Sequence, residues 1–179
     1  MSNPFFLPRV QPPEPPKRKV FVSFHHGNDQ YYFDLFIGTF GESYDVFYDQ
    51  SLDGHIRSDD PEYVNRAIRE DNIRGSSLTI VLCGRETGKR KYVDWEIYST
   101  LHYEHALLGI ILPTAQMTCD GKIIVPGRLH ANLVSGYAHL MNWQTNAPNL
   151  KWNIEEAIRK GGKKSAIDNS LPRMQRNRP

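Results

Sequence analysis

Glu96 is the residue whose surroundings in this sequence most suggest chemistry. It lies in the run Lys91–Tyr103, whose spacing predicts an amphipathic helix between two apolar, strand-like segments. One stripe of that helix is apolar and consists of Val93, Ile97 and Leu101. A second stripe places the Glu96 carboxylate among aromatic and hydroxyl groups, namely Tyr92, Ser99 and Tyr103. From the residues alone, such a carboxylate is either a solvent-facing charge or the centre of an active site.

The elements that position Glu96 are predicted from hydrophobic periodicity. Five short segments rich in β-branched and aromatic residues predict strands: Lys19–Phe24, Asp45–Tyr48, Ser77–Cys83, Leu107–Leu112 and Leu140–Trp143. Helices are predicted over Gln30–Phe40, Asp60–Asn72, Lys91–Tyr103 and Asn153–Lys160, and a short extended piece over Lys122–Pro126. This alternation predicts an α/β fold in which one parallel sheet carries helices on both faces. Five strands fit the flavodoxin-like order 2-1-3-4-5, although a sequence does not itself determine strand order.

The predicted fold gives Glu96 a place to act. In open α/β sheets, ligands bind beyond the carboxyl ends of the strands, where the winding direction switches. In the order 2-1-3-4-5 this point lies between the first and third strands, so the loops Phe24–Asp29 and Gly84–Lys91 are expected to meet there. The loop Asp49–His55 follows the second strand and is expected to flank them. The sequence therefore predicts that Glu96, one turn into the helix after the third strand, faces a crevice.

Other candidate sites in the sequence are weaker. Gly84–Lys89 lacks the Gly-Lys-Ser/Thr ending of a phosphate-binding loop, which excludes that type of nucleotide triphosphatase. Cys83 and Cys119 cannot by themselves form a disulfide framework or a four-ligand metal site. His102 and His105 have a spacing that suits a metal, but no third ligand is evident. We therefore predict no metal and no bound cofactor.

The two ends of the chain differ in composition from its centre. Residues 1–19 hold six of the twelve prolines, and residues 160–179 carry six basic groups and one acidic group. We predict a Pro-rich flexible arm over residues 1–18, one domain over 19–160 and a basic flexible tail over 161–179. The domain itself is acidic, so we predict no nucleic-acid binding. The chain shows no signal peptide and no apolar run of membrane-spanning length, and we expect a cytoplasmic protein without membrane contact.

Several motifs occur in the order found in TIR domains. Val20–His26 resembles their first strand and loop, Tyr44–Asp49 resembles their second strand, and Gln50–Tyr63 resembles the loop that follows. Ser77–Cys83, followed by Tyr92-x-x-x-Glu96-Ile97, is similar to the strand and helix that carry the catalytic glutamate of NAD-cleaving members. The run Pro126-Gly-Arg-Leu-His-Ala-Asn-Leu-Val-Ser-Gly-Tyr-Ala138 resembles the TIR-like branch found in bacterial Thoeris antiphage defence. The resemblance covers roughly residues 19–160.

This resemblance implies an enzyme that takes NAD as its substrate and cleaves the nicotinamide–ribose bond. The ADP-ribose unit then becomes a diffusible, cyclic nucleotide that reaches a downstream effector. Glu96 is implied as the catalytic carboxylate, and the implied substrate-binding residues are Phe24, His25, His26, Asp49, Leu52, Gly84 and Tyr92. Many NAD-cleaving members have tryptophan where this chain has Tyr92, and arginine where His25 and His26 stand.

A second class of function also fits the sequence. The chain would then be a non-catalytic interaction module of the TIR type, which assembles with itself or with a partner. The Asp49–Asp60 loop and the N-terminal arm are the segments expected to make such contacts. The residues alone leave this alternative open.

Overall fold

The computed structural model describes residues 16–48 and 70–179 of the chain. Its strands are β1 (Arg18–Ser23), β2 (Tyr44–Tyr48), β3 (Leu78–Cys83), β4 (Ala106–Ile111) and β5 (His139–Asn142). Its helices are α1 (His26–Phe40), α2 (70–75), α3 (Lys91–His102), α4 (Gly127–Val134) and α5 (Ala147–Gly161). Two short 3₁₀ helices span Thr87–Lys89 and Lys164–Ala166. Asp49, Leu52, the Asp49–Asp60 loop and almost all of the predicted N-terminal arm lie outside the described residues.

The strands form one parallel sheet in the order β2-β1-β3-β4-β5, which confirms the predicted fold and strand order. β1 lies between two neighbours, so that Val20 stands opposite Val46 of β2 and opposite Leu78 of β3. The strands are apolar because helices cover both faces of the sheet. The six residues of β3 are all buried, as a central strand requires.

Alternate residues of β3 separate two hydrophobic cores. Leu78, Ile80 and Leu82 point to the core that α1 and α5 cover, where Phe33, Phe36, Leu150 and Ile154 are buried. Val81 and Cys83 point to the opposite core, which Val93, Ile97 and Leu101 of α3 fill together with Leu129 of α4. The apolar stripe predicted for the α3 helix is confirmed. Because α1 and α3 pack on opposite faces, the winding direction switches between β1 and β3.

Two helices begin earlier than predicted, and one predicted extended piece forms no strand. α1 begins at His26, four residues before the predicted start at Gln30. The reason is that the His25 side chain caps the helix. α5 begins at Ala147 rather than Asn153, because Asn146 accepts a hydrogen bond from the Asn149 N–H (2.9 Å) and Pro148 suits a first helical turn. Lys122–Pro126 joins no strand of the sheet and contributes only an isolated bridge between Met117 and Ile123.

The structure differs most from the prediction at the C-terminal end. Residues 168–178, which we call the C-terminal strap, lie along α4 and α3 and are held there by hydrogen bonds. Asn132 of α4 donates to the Asp168 carbonyl (2.7 Å), and Trp95 Nε1 of α3 donates to the Met174 carbonyl (2.7 Å). The prediction of a flexible tail over residues 161–179 was based on its many basic residues. The composition of a segment does not show whether its backbone forms hydrogen bonds with the rest of the chain.

Candidate active site

A pocket of about 190 Å³ lies beyond the carboxyl end of β1, against the N-terminal half of α3. It is therefore at the switch point between β1 and β3. Five of the residues singled out from the sequence line it together: Phe24, His25, His26, Tyr92 and Glu96. Among the described residues, Gly27, Arg90, Val93 and Asn177 line it as well.

Glu96 is held in this pocket by the packing of α3 on the sheet. Glu96 is only 4% exposed, although its side chain ends in a carboxylate. The Glu96 carbonyl accepts a hydrogen bond from Thr100 Oγ1 (2.8 Å), and that hydroxyl lies 2.6 Å from Thr79 Oγ1 of β3. These two contacts tie the register of α3 to the central strand. The helix therefore presents Glu96 to the pocket while its apolar stripe stays in the core.

Aromatic rings form two walls of the pocket. Phe24 stacks on Phe33 of α1, with ring centroids 4.3 Å apart and planes 3° from parallel, and His26 lies 4.1 Å from Phe24. On the other side Tyr92 meets Trp95 edge to face at 5.9 Å. Since the rings are packed against neighbours, they offer fixed surfaces for a planar ligand.

His25 caps helix α1 in addition to lining the pocket. Its Nδ1 accepts a hydrogen bond from the Asn28 N–H (2.9 Å) and so caps α1. Burial lowers the pKa of His25 below its ordinary value, and the nearby positive charge of Arg90 lowers it further. A neutral ring is also what the cap needs, because a protonated Nδ1 cannot accept. His25 is thus a poor source of positive charge for a phosphate at neutral pH.

Arg90 supplies a permanent positive charge instead, although it was not among the site residues predicted from the sequence. It stands at the N-cap position of α3 and pairs with Glu86, which also accepts from Asn28 Nδ2 (3.2 Å). The available signal was its place in the Gly84–Lys91 loop, which was already expected at the crevice. An arginine cation keeps its charge at all physiological pH values.

We expect His25 to make the stability of the protein depend on pH. Because folding lowers the pKa of His25, the unfolded chain binds more protons near pH 6.5, and the free energy of unfolding falls as the pH drops through that region. His25→Asn keeps a capping acceptor but does not titrate. Urea unfolding at pH 7.5 and 5.5 should therefore show a larger loss on acidification for the wild type than for His25→Asn. The lowered pKa values of His105 and His139 act in both proteins and cancel in this comparison. An equal loss in the two proteins would contradict the role given to His25.

Gly84 does not line the pocket, although it was a predicted substrate-binding residue. It lies against the buried carboxylate of Asp29, which joins the first turn of α1 to the end of β3. Thr87 Oγ1 donates to Asp29 Oδ2 (3.0 Å) and accepts from the Gly84 N–H (2.8 Å). Burial raises the pKa of Asp29, and the hydrogen bond from Thr87 partly offsets that rise. Gly84 thus has a packing role at the edge of the candidate site.

Gly84→Ala is expected to destabilise the protein by about 1–3 kcal/mol, the usual cost of overpacking. A Cβ at this position would lie 2.1 Å from Asp29 Oδ1, and the carboxylate cannot move away without losing Thr87. Gly38→Ala on α1 is the matched control, because its Cβ would meet no neighbouring atom. We expect that control to stabilise the helix by about 0.5–1 kcal/mol. Urea unfolding measures both, and equal midpoints for Gly84→Ala and the wild type would show that the contact can relax.

Two further properties bear on the kinds of site the protein holds. Over residues 16–48 and 70–179, no three His, Cys, Asp or Glu side chains converge as metal ligands would. The helices in that part of the chain are too short or too polar to cross a membrane.

Residues 21–117, more than half of the 179 residues, match the family model described as "Thoeris protein ThsB, TIR-like domain". The chain belongs to the ThsB TIR-like domain family. The match spans β1 to the loop after β4 and so includes Glu96, Tyr92 and the 24–27 loop, whereas the C-terminal strap lies outside it.

This ThsB-type domain was also compared with curated protein sequences and with solved structures. No curated protein sequence matches the chain. Among solved structures, it is similar to the TIR domains in the "Structure of the activated Roq1 resistosome directly recognizing the pathogen effector XopQ". That likeness has 12% sequence identity and a TM-score of 0.42, and it covers 83% of this chain and 84% of the other.

Proposed function

We propose that this ThsB-type domain cleaves NAD between nicotinamide and ribose, with Glu96 as the catalytic carboxylate. The observation that carries the proposal is the burial of Glu96 in a pocket at the switch point, between aromatic walls. A carboxylate removed from water is costly to maintain and is typical of sites that use its charge. The family to which the chain belongs supports the same reaction.

The residues of the pocket have complementary roles in this proposal. Phe24 and Tyr92 offer flat surfaces to a planar base, and Arg90 with the backbone near Gly27 offers positive charge and N–H groups to the pyrophosphate. Dinucleotide and drug-sized ligands usually occupy about 300–1,000 Å³, more than this pocket encloses. We therefore infer that nicotinamide and its ribose enter the pocket and that the adenosine half extends from it.

Glu96 acts on the charge that develops as the bond breaks. Loss of nicotinamide leaves positive oxocarbenium character on the ribose, and a nearby carboxylate stabilises that charge and holds the ribose hydroxyls. Nicotinamide departs as a neutral base with the bonding electron pair, so no general acid is needed. Attack by water then gives ADP-ribose and a proton. Attack by a hydroxyl of the same ADP-ribose unit, with loss of the hydroxyl proton, gives a cyclic nucleotide, the kind of signal that a downstream effector would receive.

The test is mass spectrometry of NAD incubated with the purified protein and with lysate from phage-infected cells that express it. We expect nicotinamide and an ADP-ribose-derived product with the wild type, and neither above background with Glu96→Ala. The infected lysate is included because a signalling enzyme can require a trigger. Product formation that is unchanged in Glu96→Ala would refute the assignment of Glu96.

A further inference from the structure

The C-terminal strap (residues 168–178) is attached to α4 by side chains that pair with its backbone. Asn132 Nδ2 donates to the Asp168 carbonyl (2.7 Å), and the Asp168 N–H donates to Asn132 Oδ1 (3.0 Å). Arg128, fully buried, donates from Nη1 to Asn169 Oδ1 (2.8 Å) and from Nη2 to the Pro172 carbonyl (3.2 Å). These four hydrogen bonds to α4, with a fifth from Asn169 Nδ2 to the Tyr98 carbonyl of α3 (3.2 Å), fix the first half of the strap.

The strap then crosses α3 in a defined register. The Met174 N–H donates to Asp94 Oδ2 (2.9 Å), and the Met174 carbonyl accepts from Trp95 Nε1 (2.7 Å). The guanidinium of Arg173 lies 5.0 Å from the ring centre of Tyr98, within cation–π range. Both backbone polar groups of Met174 are thus satisfied by α3.

The strap ends at the first turn of α3, beside the Glu96 pocket. The Lys91 N–H donates to Asn177 Oδ1 (2.9 Å), and the Arg178 N–H donates to the Lys89 carbonyl (2.9 Å). Arg90 occupies the N-cap position of α3 but makes no capping hydrogen bond with its side chain. Asn177 therefore provides the cap from 86 positions further along the chain.

Asn177 also lines the pocket that contains Glu96. Within the described part of the chain, its one hydrogen bond is made through Oδ1, which leaves the two N–H donors of Nδ2 for a ligand. We propose that Asn177 is a substrate-binding residue, whose Nδ2 donates to an acceptor oxygen of NAD at the rim of the pocket. The strap then contributes a residue to the active site, and the hydrogen bond from the Lys91 N–H fixes the position of the Asn177 side-chain amide. This inference rests on the proposed function.

The test is an NMR titration that reads the Asn177 side-chain amide directly. ¹⁵N-labelled full-length protein carrying Glu96→Gln, which limits turnover, is titrated with NAD, and the Asn177 resonance is identified by its absence in Asn177→Ala. We expect NAD to shift this resonance, and we expect Asn177→Ala to weaken NAD binding by about three- to tenfold, as loss of one hydrogen bond at the exposed rim of a pocket does. Separate titrations with nicotinamide and with ADP-ribose show which half of NAD carries the acceptor.

Asn169→Ala is the matched control, because Asn169 also bonds the strap to the body of the domain but does not line the pocket. Its NAD affinity should stay within about twofold of the parent, since the loss of its two contacts, with Arg128 and with the Tyr98 carbonyl, removes no donor from the site. If NAD shifts the backbone amides of Gly27 and Tyr92 but not the Asn177 side chain, this inference is overturned and the proposed function stands. If none of these amides responds to NAD, this inference is overturned, and the mass-spectrometric assay of the infected lysate decides the proposed function separately.

Discussion

Glu96→Gln is expected to lower the rate of nicotinamide release from NAD by about 10²–10³-fold, the range seen when a charge-stabilising group is removed. Glutamine has almost the same shape as glutamate, so it fits the buried site between Val93 and Ile97. It lacks the negative charge that would stabilise the oxocarbenium-like transition state. The effect should appear in kcat more than in KM, because the lost interaction is strongest in the transition state.

The control for this experiment separates charge loss from damage to the fold. Glu155→Gln removes a carboxylate from the exposed side of α5, away from the pocket lining. We expect its rate to equal that of the wild type, and thermal unfolding of both variants to remain cooperative. If Glu96→Gln kept most of the wild-type kcat, the carboxylate would have no role in the chemical step.

Arg128→Met is expected to destabilise the protein by about 3–5 kcal/mol, the usual cost of removing one partner of a buried ion pair. Arg128 Nε donates to Asp94 Oδ1 (3.0 Å) and Nη2 donates to Asp94 Oδ2 (3.3 Å), where the arginine side chain has no exposure. Methionine fills a similar volume but leaves the Asp94 carboxylate without its countercharge. It also removes the donors that hold Asn169 and the Pro172 carbonyl of the strap. Urea unfolding measures the loss.

Arg159→Met provides a matched arginine on the surface. Its partner is Glu156 on the same helix, and the two side chains are 61% and 21% exposed. Solvent screens such a pair, so its loss should change the free energy of unfolding little. Hydrogen exchange adds a local measurement, because the Met174 N–H should lose its protection in Arg128→Met and keep it in Arg159→Met. Equal unfolding midpoints for the two variants would contradict the structural role of Arg128.

Much of the fold follows from local patterns that a sequence displays. β3 was predicted within one residue, and the apolar stripe of α3 is the face that packs on the sheet. α4 was missed because it is short and because Arg128 and Asn132 share its buried side with Leu129, so its apolar repeat is limited to Leu129 and Leu133. The polar groups of Arg128 and Asn132 are satisfied by Asp94 and by the strap, which no local pattern reveals.

The residues of the candidate site likewise fall into those that the sequence predicted and those that only the structure revealed. Sheet geometry predicted that the loops after β1 and β3 meet near Glu96, and the resemblance to TIR domains implied Phe24, His25, His26 and Tyr92 as substrate-binding residues. The structure places all five residues in one pocket. Arg90 and Asn177 were not predicted. Asn177 reaches the pocket only because the strap folds back across α3. The polar and basic residues of the strap favour solvent, but specific hydrogen bonds such as that from the Met174 N–H to Asp94 hold the strap on the helix.

The sequence by itself determined the strands, most of the helices and the position of Glu96 after the third strand, because these depend on short-range periodicity. The tertiary structure alone decided that Gly84 packs on Asp29 and that burial, together with the nearby Arg90, lowers the pKa of His25. It also decided that Asn177 caps the helix bearing Glu96. Each of these depends on burial or on contact between distant parts of the chain, which spacing along a sequence does not encode.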